Sequence, residues 1–501
     1  MLSNTSDNAV VPSRWQAILN SQEAVMYPLR KSVLATAVCT ALAGVGLVAG
    51  PAGSVTAVAA TTGSSIPAAV AQRVFNQMTQ AQRIGQLFMV GGPVTGLTSA
   101  TTSTISRYHV GNLILTGRTT AGASPVRSLT SRSDALTSAT ATAGVPLFIA
   151  ADEEGGYVQV LQGPGFSRMP TALAQGTWPD STLTSNAAVW GHQIFRSGLD
   201  VNLAPVMDTV SKSFAPDNPP IGWYDREFGY TPATVADKGT AFLRGMRSAG
   251  LAMTAKHFPG LGHVTGNTDT TAGVTDTVTT RSSSDIAPFR AAVTSGTQFL
   301  MVSLAFYSKI DAHNPAAFSP TVITGMIRGD LGFKGIIISD SLGAAQLQAW
   351  SPGARAVDFI NAGGDMALTC DPTELPAMVA AVSARVSSDP AFRSVANAAA
   401  LRVLTVKAAQ GLLGARLNVT GQLGSLTTSA LQRWLGLTQT GQITVATIRA
   451  LQARIGTSAD GIWGPQSMAT LQSYLGTYRD GARTWNPRTV SLLQMYLNTQ
   501  L

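Results

Sequence analysis

The run Lys256-His257-Phe258-Pro259-Gly260, with Asp269 nine residues past Gly260, follows directly on the apolar stretch Leu251 to Ala255. A buried strand that ends in ionisable groups, ahead of a Pro/Gly-rich loop, delivers them to one edge of a rigid scaffold. Proton transfer and hydroxyl recognition both need that fixed position. Asp152-Glu153-Glu154, Asp208 and Asp340 stand in the same relation to three other apolar runs. For any one of them alone, a solvated strand cap is an equal reading. Together, carboxylates and cations on one rim are the equipment for retaining glycoside hydrolysis, in which one carboxylate attacks and a second carboxyl transfers protons. Asp340 ends the run Gly335-Ile336-Ile337-Ile338-Ser339, and a strand holds a nucleophile rigidly, so Asp340 is the candidate nucleophile. A proton donor can come from a loop that closes over substrate, and the loop from Gly260 to Gly273 offers Asp269 and His263.

The elements that must position these groups are short and apolar: Leu87 to Val90, Asn112 to Leu115, Leu147 to Ala150, Val201 to Pro205, Leu251 to Ala255, Phe299 to Ser303, Gly335 to Ser339 and Asp365 to Thr369. Their near-continuous hydrophobicity predicts parallel strands covered on both faces, and helix-like stretches such as Pro232 to Ala249 and Asp285 to Ser295 lie between them. Eight β/α units predict an α/β fold of the (β/α)8 TIM-barrel type, in which strand C-terminal ends carry the active site. A doubly wound open sheet is the alternative, but no G-x-G-x-x-G follows the first strand. A helix over Val395 to Leu413 would close the barrel.

At 501 residues, with 45% hydrophobic and 12% charged residues, the chain is long and apolar enough for a large core. Its formal charge of +8 comes from scattered basic residues; without a basic stripe, a nucleic-acid partner is not expected, whereas an anionic polymer is. Arg30-Lys31, the apolar run Val33 to Ala49 and Ala57-Val58-Ala59 read as a signal peptide with its cleavage site, so residues 1–59 are an N-terminal extension and signal, and Met26 is a candidate start. A transmembrane anchor is the competing reading of that run. Secretion is the expected fate, with association to a bacterial cell wall. Of the two cysteines, Cys39 falls in the signal and Cys370 is expected as a buried small residue without a disulfide. No metal or other cofactor is implied, since Cys370 has no partner at ligand spacing.

Five motifs carry a family resemblance: Asp152-Glu153-Glu154-Gly155-Gly156, Val201-Asn202-Leu203-Ala204-Pro205-Val206-Met207-Asp208, Arg226-Glu227-Phe228-Gly229, Lys256-His257-Phe258-Pro259-Gly260 and Ile338-Ser339-Asp340-Ser341-Leu342. In order and over residues 66–415 they resemble family 3 glycoside hydrolases, in particular the single-barrel bacterial β-N-acetylhexosaminidases. The resemblance implies that Asp340 forms a glycosyl-enzyme intermediate. It also implies that Asp152, Arg226, Lys256 and His257 hydrogen-bond the hydroxyls of the sugar in the pocket. Arg226 has a second reading, as a structural ion pair with Asp225 or Glu227. The chain departs from the family in its acid/base loop, where Asn267-Thr268-Asp269 stands at the usual Asp-Ser-His. Asp269 is therefore the expected acid/base, with His263 as the alternative. The expected activity is removal of a terminal β-linked sugar, most of all N-acetylglucosamine. A β-glucosidase or β-xylosidase, or a non-catalytic wall-binding protein, are the competing readings.

After a polar linker at 416–425, Leu-Gln pairs recur at 431, 451, 471 and 493, a spacing of about 20 residues that marks small packed helical units. Asp460-Gly461-Ile462-Trp463-Gly464-Pro465 is a helix-preceding turn, and residues 426–501 resemble the peptidoglycan-binding type 1 family as a small all-α module. Trp463 reads equally as a core residue or a sugar platform. The last 84 residues hold six Arg and two Asp without Lys or Glu, a balance suited to peptidoglycan or another anionic wall polymer.

Overall fold

The computed structural model describes residues 66–413, 421–438 and 440–500. The expected extension and signal at 1–59 lie outside the described residues. Each of the eight apolar runs forms a strand: β1 Phe88–Pro93, β2 Asn112–Thr116, β3 Phe148–Ala151, β4 Val201–Asn202, β5 Ala252–Phe258, β6 Phe299–Val302, β7 Ile336–Ser339 and β8 Ala367–Thr369. Successive strands pair in parallel from β1 to β7, and β8 pairs with β1. A parallel bridge between Ile338 and Met366 joins β7 to the segment leading into β8 and completes the circle. The chain is thus the expected (β/α)8 barrel, with helices such as Pro232–Ser248 and Ala287–Thr294 outside.

Side chains fill the barrel. Met89, Ile114, Phe148, Ala150, Val201, Leu203, Ala252, Phe299, Met301, Ile336, Ile338 and Leu368 form its inner core, and Val403 and Leu412 join them from below. They come from the helix Pro390–Ala409 and the turn after it, so the segment expected to close the barrel plugs its lower end. The same helix carries Lys407, fully buried, whose Nζ donates to Gln86 Oε1 and to the carbonyls of Gly111 and Pro146 at 2.8–3.0 Å. These acceptors precede β1, β2 and β3, so one buried cation ties three strand starts together. Buried Asp365 accepts from Arg402 Nε (2.6 Å), the Ile337 amide (2.8 Å) and Arg328 near the starts of β7 and β8. With the lower end fixed in this way, the open rim is left for chemistry.

The helical module contains four helices, Ser425–Trp434, Val445–Ile455, Pro465–Tyr474 and Pro487–Gln500. The repeated Leu-Gln pairs explain its packing. Leu431, Leu451, Leu471 and Leu493 are buried together, and each of the first three Gln residues turns its amide to the loop that follows. Gln452 Nε2 donates to Asp460 Oδ1, the Ile462 carbonyl and Ser467 Oγ at 2.7–3.0 Å, while its Oε1 accepts from the Gly461 amide at 2.8 Å. Gln432 and Gln472 treat their own loops alike. Gln494, on the last helix, reaches back to the start: it donates to the Gln422 carbonyl (3.0 Å) and Thr427 Oγ1 (2.9 Å) and accepts from the Gly421 amide (3.0 Å). Residues 421–424, expected as linker, are therefore part of the module, because Gln494 needs them as partners. Trp463 stacks on Trp485 with ring centroids 4.3 Å apart and planes 4° from parallel. Trp485 thus covers one face of the Trp463 ring.

Gln494→Ala should take the acceptor from the buried Gly421 amide and remove the donations to the Gln422 carbonyl and Thr427 Oγ1, costing about 1–3 kcal/mol. Limited proteolysis of the full chain should then cut faster within 421–500 with the barrel still intact; an unchanged cleavage rate would show that Gln494 does not hold the ring shut.

Candidate active site

A pocket of about 500 Å³ opens at the C-terminal ends of the strands and is lined by Asp152, Arg226, Lys256, His257, Asp269 and Asp340, among others. Its floor is the apolar top of the barrel core, with Ile114, Leu203, Met301 and Leu368. Six of the seven sequence candidates therefore converge. His263 does not line the pocket: its Nε2 lies 3.3 Å from Asp285 Oδ2, and that hydrogen bond raises its pKa.

Lys256 and His257 lie within β5, which continues through Phe258, so they belong to the strand and not to a loop. Both side chains are buried. Lys256 Nζ donates to Asp152 Oδ1 at 2.6 Å and pairs with Glu154 Oε1 at 2.7 Å. Arg226 Nε and Nη2 donate to the two oxygens of Glu154 at 2.9 and 2.8 Å, a bidentate pair. Its Nη1 donates to the Pro220 carbonyl at 2.7 Å. Burial alone would raise the pKa of Glu154, but the charges of Arg226 and Lys256 outweigh it and bring the carboxyl to about 2. Burial also opposes the charge on Lys256; Asp152 and Glu154 overcome it and hold the ammonium above its ordinary range.

Arg226 is thus an ion-pair partner of Glu154, and neither Asp225 nor Glu227 takes that part. Glu227 is buried with neither carboxylate oxygen hydrogen-bonded, and burial, then Asp225 and Asp208, push it up to about 7. Asp208, at the rim after β4, is fully buried. Its Oδ2 lies 2.7 Å from His257 Nδ1, and its Oδ1 accepts from the Leu261 amide at 2.9 Å. A carboxylate can only accept, so Nδ1 carries the proton and Nε2 is the imidazole atom left for a ligand.

The loop after β5 is pinned at three places. Tyr307 Oη donates to the Gly260 carbonyl at 2.7 Å, and Asn218 Nδ2 donates to the carbonyls of Leu261 and Val264 at 2.8 and 2.9 Å. Gln346, just beyond β7, exchanges two hydrogen bonds with the backbone of Val274. The amides of Ala345 and Gln346 also donate to the carbonyls of Asp269 and Thr268. Asn267 Oδ1 accepts from the Asp269 amide at 2.9 Å, so Asn267 shapes the turn that presents Asp269. Asp269 is an exposed residue whose carboxyl lines the pocket, where desolvation and then the charge of Asp340 push it up to about 6, against the opposing pull of Arg226 and His257. Asp340 is held from below, its amide donating to the Val302 carbonyl, and its Oδ1 accepts from the Ser341 amide at 2.8 Å. Cys370 corrects the sequence reading: it lies just past the end of β8, so it is exposed toward the pocket that it helps to line and is not part of the core. Its thiol sits deep in that recess, where desolvation, with Asp152, Asp340 and Asp269 nearby, pushes it up to about 12.

Sequence reasoning named the groups that face the pocket and missed those that hold them. Glu154 was visible inside a quoted motif, but only the fold shows that it neutralises two cations. Asn218 and Gln346 carry no signal in one sequence, since an amide in a loop has no characteristic spacing.

Residues 79–406 match the model of the Glycosyl hydrolase family 3 N terminal domain. A beta-hexosaminidase of Stenotrophomonas maltophilia (strain K279a) is 31% identical over 308 residues, which is 60% of this chain and 88% of that protein. The crystal structure of beta-N-acetylhexosaminidase from Beutenbergia cavernae superposes with a TM-score of 0.65 and 47% identity over 66% of this chain and 98% of its own. A family 3 glycosyl hydrolase of Mycobacterium smegmatis superposes with a TM-score of 0.58 and 25% identity, again over 66% and 98%.

Glu154→Gln should remove the counter-charge of half-buried Arg226 and one of the two carboxylates on buried Lys256, and destabilise the barrel by about 3–5 kcal/mol. The folded pKa of Glu154 lies below its ordinary 4.5, so its contribution is present above that value and is lost as pH falls from about 4.5 toward about 2. Thermal unfolding across that window should show a shallower acid dependence in the variant than in the parent.

Proposed function

This chain belongs to glycosyl hydrolase family 3 and is a glycoside hydrolase, and from that premise we propose a secreted, retaining exo-β-N-acetylglucosaminidase that acts on cell-wall glycans. The observation that carries the reading is the placement of Asp269 and Asp340 in one pocket, with Asp269 raised by desolvation and by the charge of Asp340. A carboxyl raised beside a second one is fitted to serve as the acid, which leaves the strand-end Asp340 as the nucleophile.

The terminal sugar enters the pocket, where Asp152, Lys256, Arg226 and His257 Nε2 meet its hydroxyls. Lys256 and Arg226 are already neutralised by Glu154 and Asp152, so they donate to sugar oxygens without demanding an anion. Asp340 attacks the anomeric carbon while Asp269 gives its proton to the departing glycosidic oxygen. Asp269, now ionised, then takes a proton from water, whose oxygen displaces Asp340 and releases the sugar. A histidine in this role carries a positive charge when protonated, whereas Asp269 is neutral when protonated and anionic when it acts as base. The preference for N-acetylglucosamine rests on the hexosaminidase relatives. The wall assignment rests on the signal-like N-terminus and on the basic C-terminal module, whose tethering would raise the effective concentration of polymer ends.

Asp269→Asn should lower kcat by about 10²–10⁴ on a natural disaccharide, whose leaving group needs a proton, and far less on an aryl glycoside with an acidic leaving group. In the parent, kcat/KM for the disaccharide should fall as pH rises above about 6, because the acid must be protonated in the free enzyme. That limb should vanish in Asp269→Asn; a limb that persists would assign the proton to His263 or another group.

Removing residues 418–501 should abolish retention on insoluble peptidoglycan while leaving turnover of a chromogenic β-N-acetylglucosaminide unchanged. Retention without the module would overturn the tether.

A further inference from the structure

Outside the pocket, the described part of the barrel leaves three large aromatic side chains largely exposed: Tyr157 at 61%, Trp223 at 59% and Tyr224 at 44%. Exposed aromatic area of this size is unfavourable in water and marks a contact surface when it is clustered. These three are clustered. Tyr157 sits at the turn between the paired strands Glu153–Gly155 and Val158–Gln159, and Val158 lines the pocket. Trp223 and Tyr224 lie on the 3-10 turn Gly222–Tyr224, between Pro220 and Arg226, which also line it. The rings of Tyr157 and Tyr224 meet edge to face, with centroids 6.0 Å apart and planes at 68°. The loops after β3 and β4 are therefore joined twice, inside the pocket by Glu154 with Arg226 and at its mouth by the two tyrosines.

We propose that Tyr157, Trp223 and Tyr224 form a platform for the aglycone sugars of a β-linked glycan chain whose terminal residue occupies the pocket. This rests on the glycosidase reading above and extends it from the cleaved sugar to the chain behind it. A pocket that takes one terminal sugar must let the rest of the chain leave through its mouth, and these side chains stand there. Equatorially substituted pyranosides present flat C–H faces, which aromatic rings cover without needing a particular hydroxyl pattern. The rings are held in advance. Trp223 Nε1 donates to the Pro216 carbonyl at 2.6 Å, the Tyr157 carbonyl accepts from Arg118, and in the edge-to-face pair one tyrosine keeps its ring face uncovered. Fixed rings lose little freedom when a sugar settles on them. The enzyme then favours longer glycans through contacts that a monosaccharide derivative never makes.

The test compares the parent with Tyr157→Ala/Tyr224→Ala and with Trp223→Ala, using an aryl monosaccharide and the tetrasaccharide of the same sugar. KM for the tetrasaccharide should rise about tenfold in the double variant, the loss expected for one or two sugar–ring contacts, while KM for the aryl monosaccharide should change by less than about twofold. Tyr157→Phe/Tyr224→Phe keeps the rings and should match the parent on both. Equal effects on both substrates, or none on the tetrasaccharide, would overturn the platform. If aryl N-acetylglucosaminide is not cleaved but the glucoside or xyloside is, the choice of sugar fails and the comparison is run on oligomers of the cleaved one. If none is cleaved, the hydrolase mechanism fails, and calorimetric titration with the three tetrasaccharides decides the platform separately. Weaker binding in the alanine variants supports it; unchanged binding, or none in the parent, overturns it.

Discussion

Glu154 is the group on which the site depends. Two cations, Lys256 and Arg226, stand nearly buried at the mouth of a barrel packed with apolar side chains. A buried cation without a counter-charge is among the costliest features a fold can hold. Glu154 meets both at 2.7–2.9 Å from a loop after β3, while Lys256 comes from β5 and Arg226 from the loop after β4. One carboxylate thus fixes the spacing of three β/α units, and the pocket takes its width from that spacing. In the second cation–carboxylate contact, Lys256 meets Asp152 through one oxygen, which leaves the other for a ligand in the pocket that Asp152 lines. Stability and recognition are served by the same ions, so substitutions at these positions affect both.

The proton-transfer side is built differently. Asp269 is on a loop, yet Tyr307, Asn218 and Gln346 tie that loop to its neighbours through backbone carbonyls and amides. These bonds depend on backbone position, while buried Val264 and Thr268 and the Asn267 side chain hold the loop from within. The loop carries Asp269 to the pocket. Asp269, an exposed residue whose carboxyl lines the pocket beside a second carboxylate, is pushed up to about 6, toward the range in which a carboxyl can give a proton near neutrality.

The eight strands, their parallel pairing and the rim of ionisable groups were legible because each signal is local: apolar runs of strand length, four of them leading to charged residues. Six of the seven site candidates met in one pocket for a related reason, since a strand end, or a loop tied down beside one, fixes its side chain in space. His263 failed because a position on a loop, three residues past Gly260, says nothing about direction; the loop turns it to Asp285 instead. Cys370 was misplaced because β8 ends at Thr369, and the residue after a strand end belongs to the rim as readily as to the core. The second reading of Arg226 looked for an ion-pair partner among its chain neighbours, whereas that partner is 72 residues away. Pairings of that range are written in the fold and not in local sequence.

The C-terminal module shows what a short repeat can specify when its ends meet. A linear array of small repeats leaves its first and last units half-packed, and such arrays need capping units. Here the same Leu-Gln pair appears in all four helices, and the fourth Gln satisfies the backbone ahead of the first helix, so no unit is terminal. Two residues after each Gln stand Trp434, Arg454, Tyr474 and Tyr496, and closure brings them together: Trp434 lies against both tyrosines, and Arg454 lies 5.1 Å from its ring centroid. The stacked pair Trp463 and Trp485 joins two successive turns of the same ring. Closure of the ring thus uses Trp434 and one face each of Trp463 and Trp485, and the last two stay only partly buried.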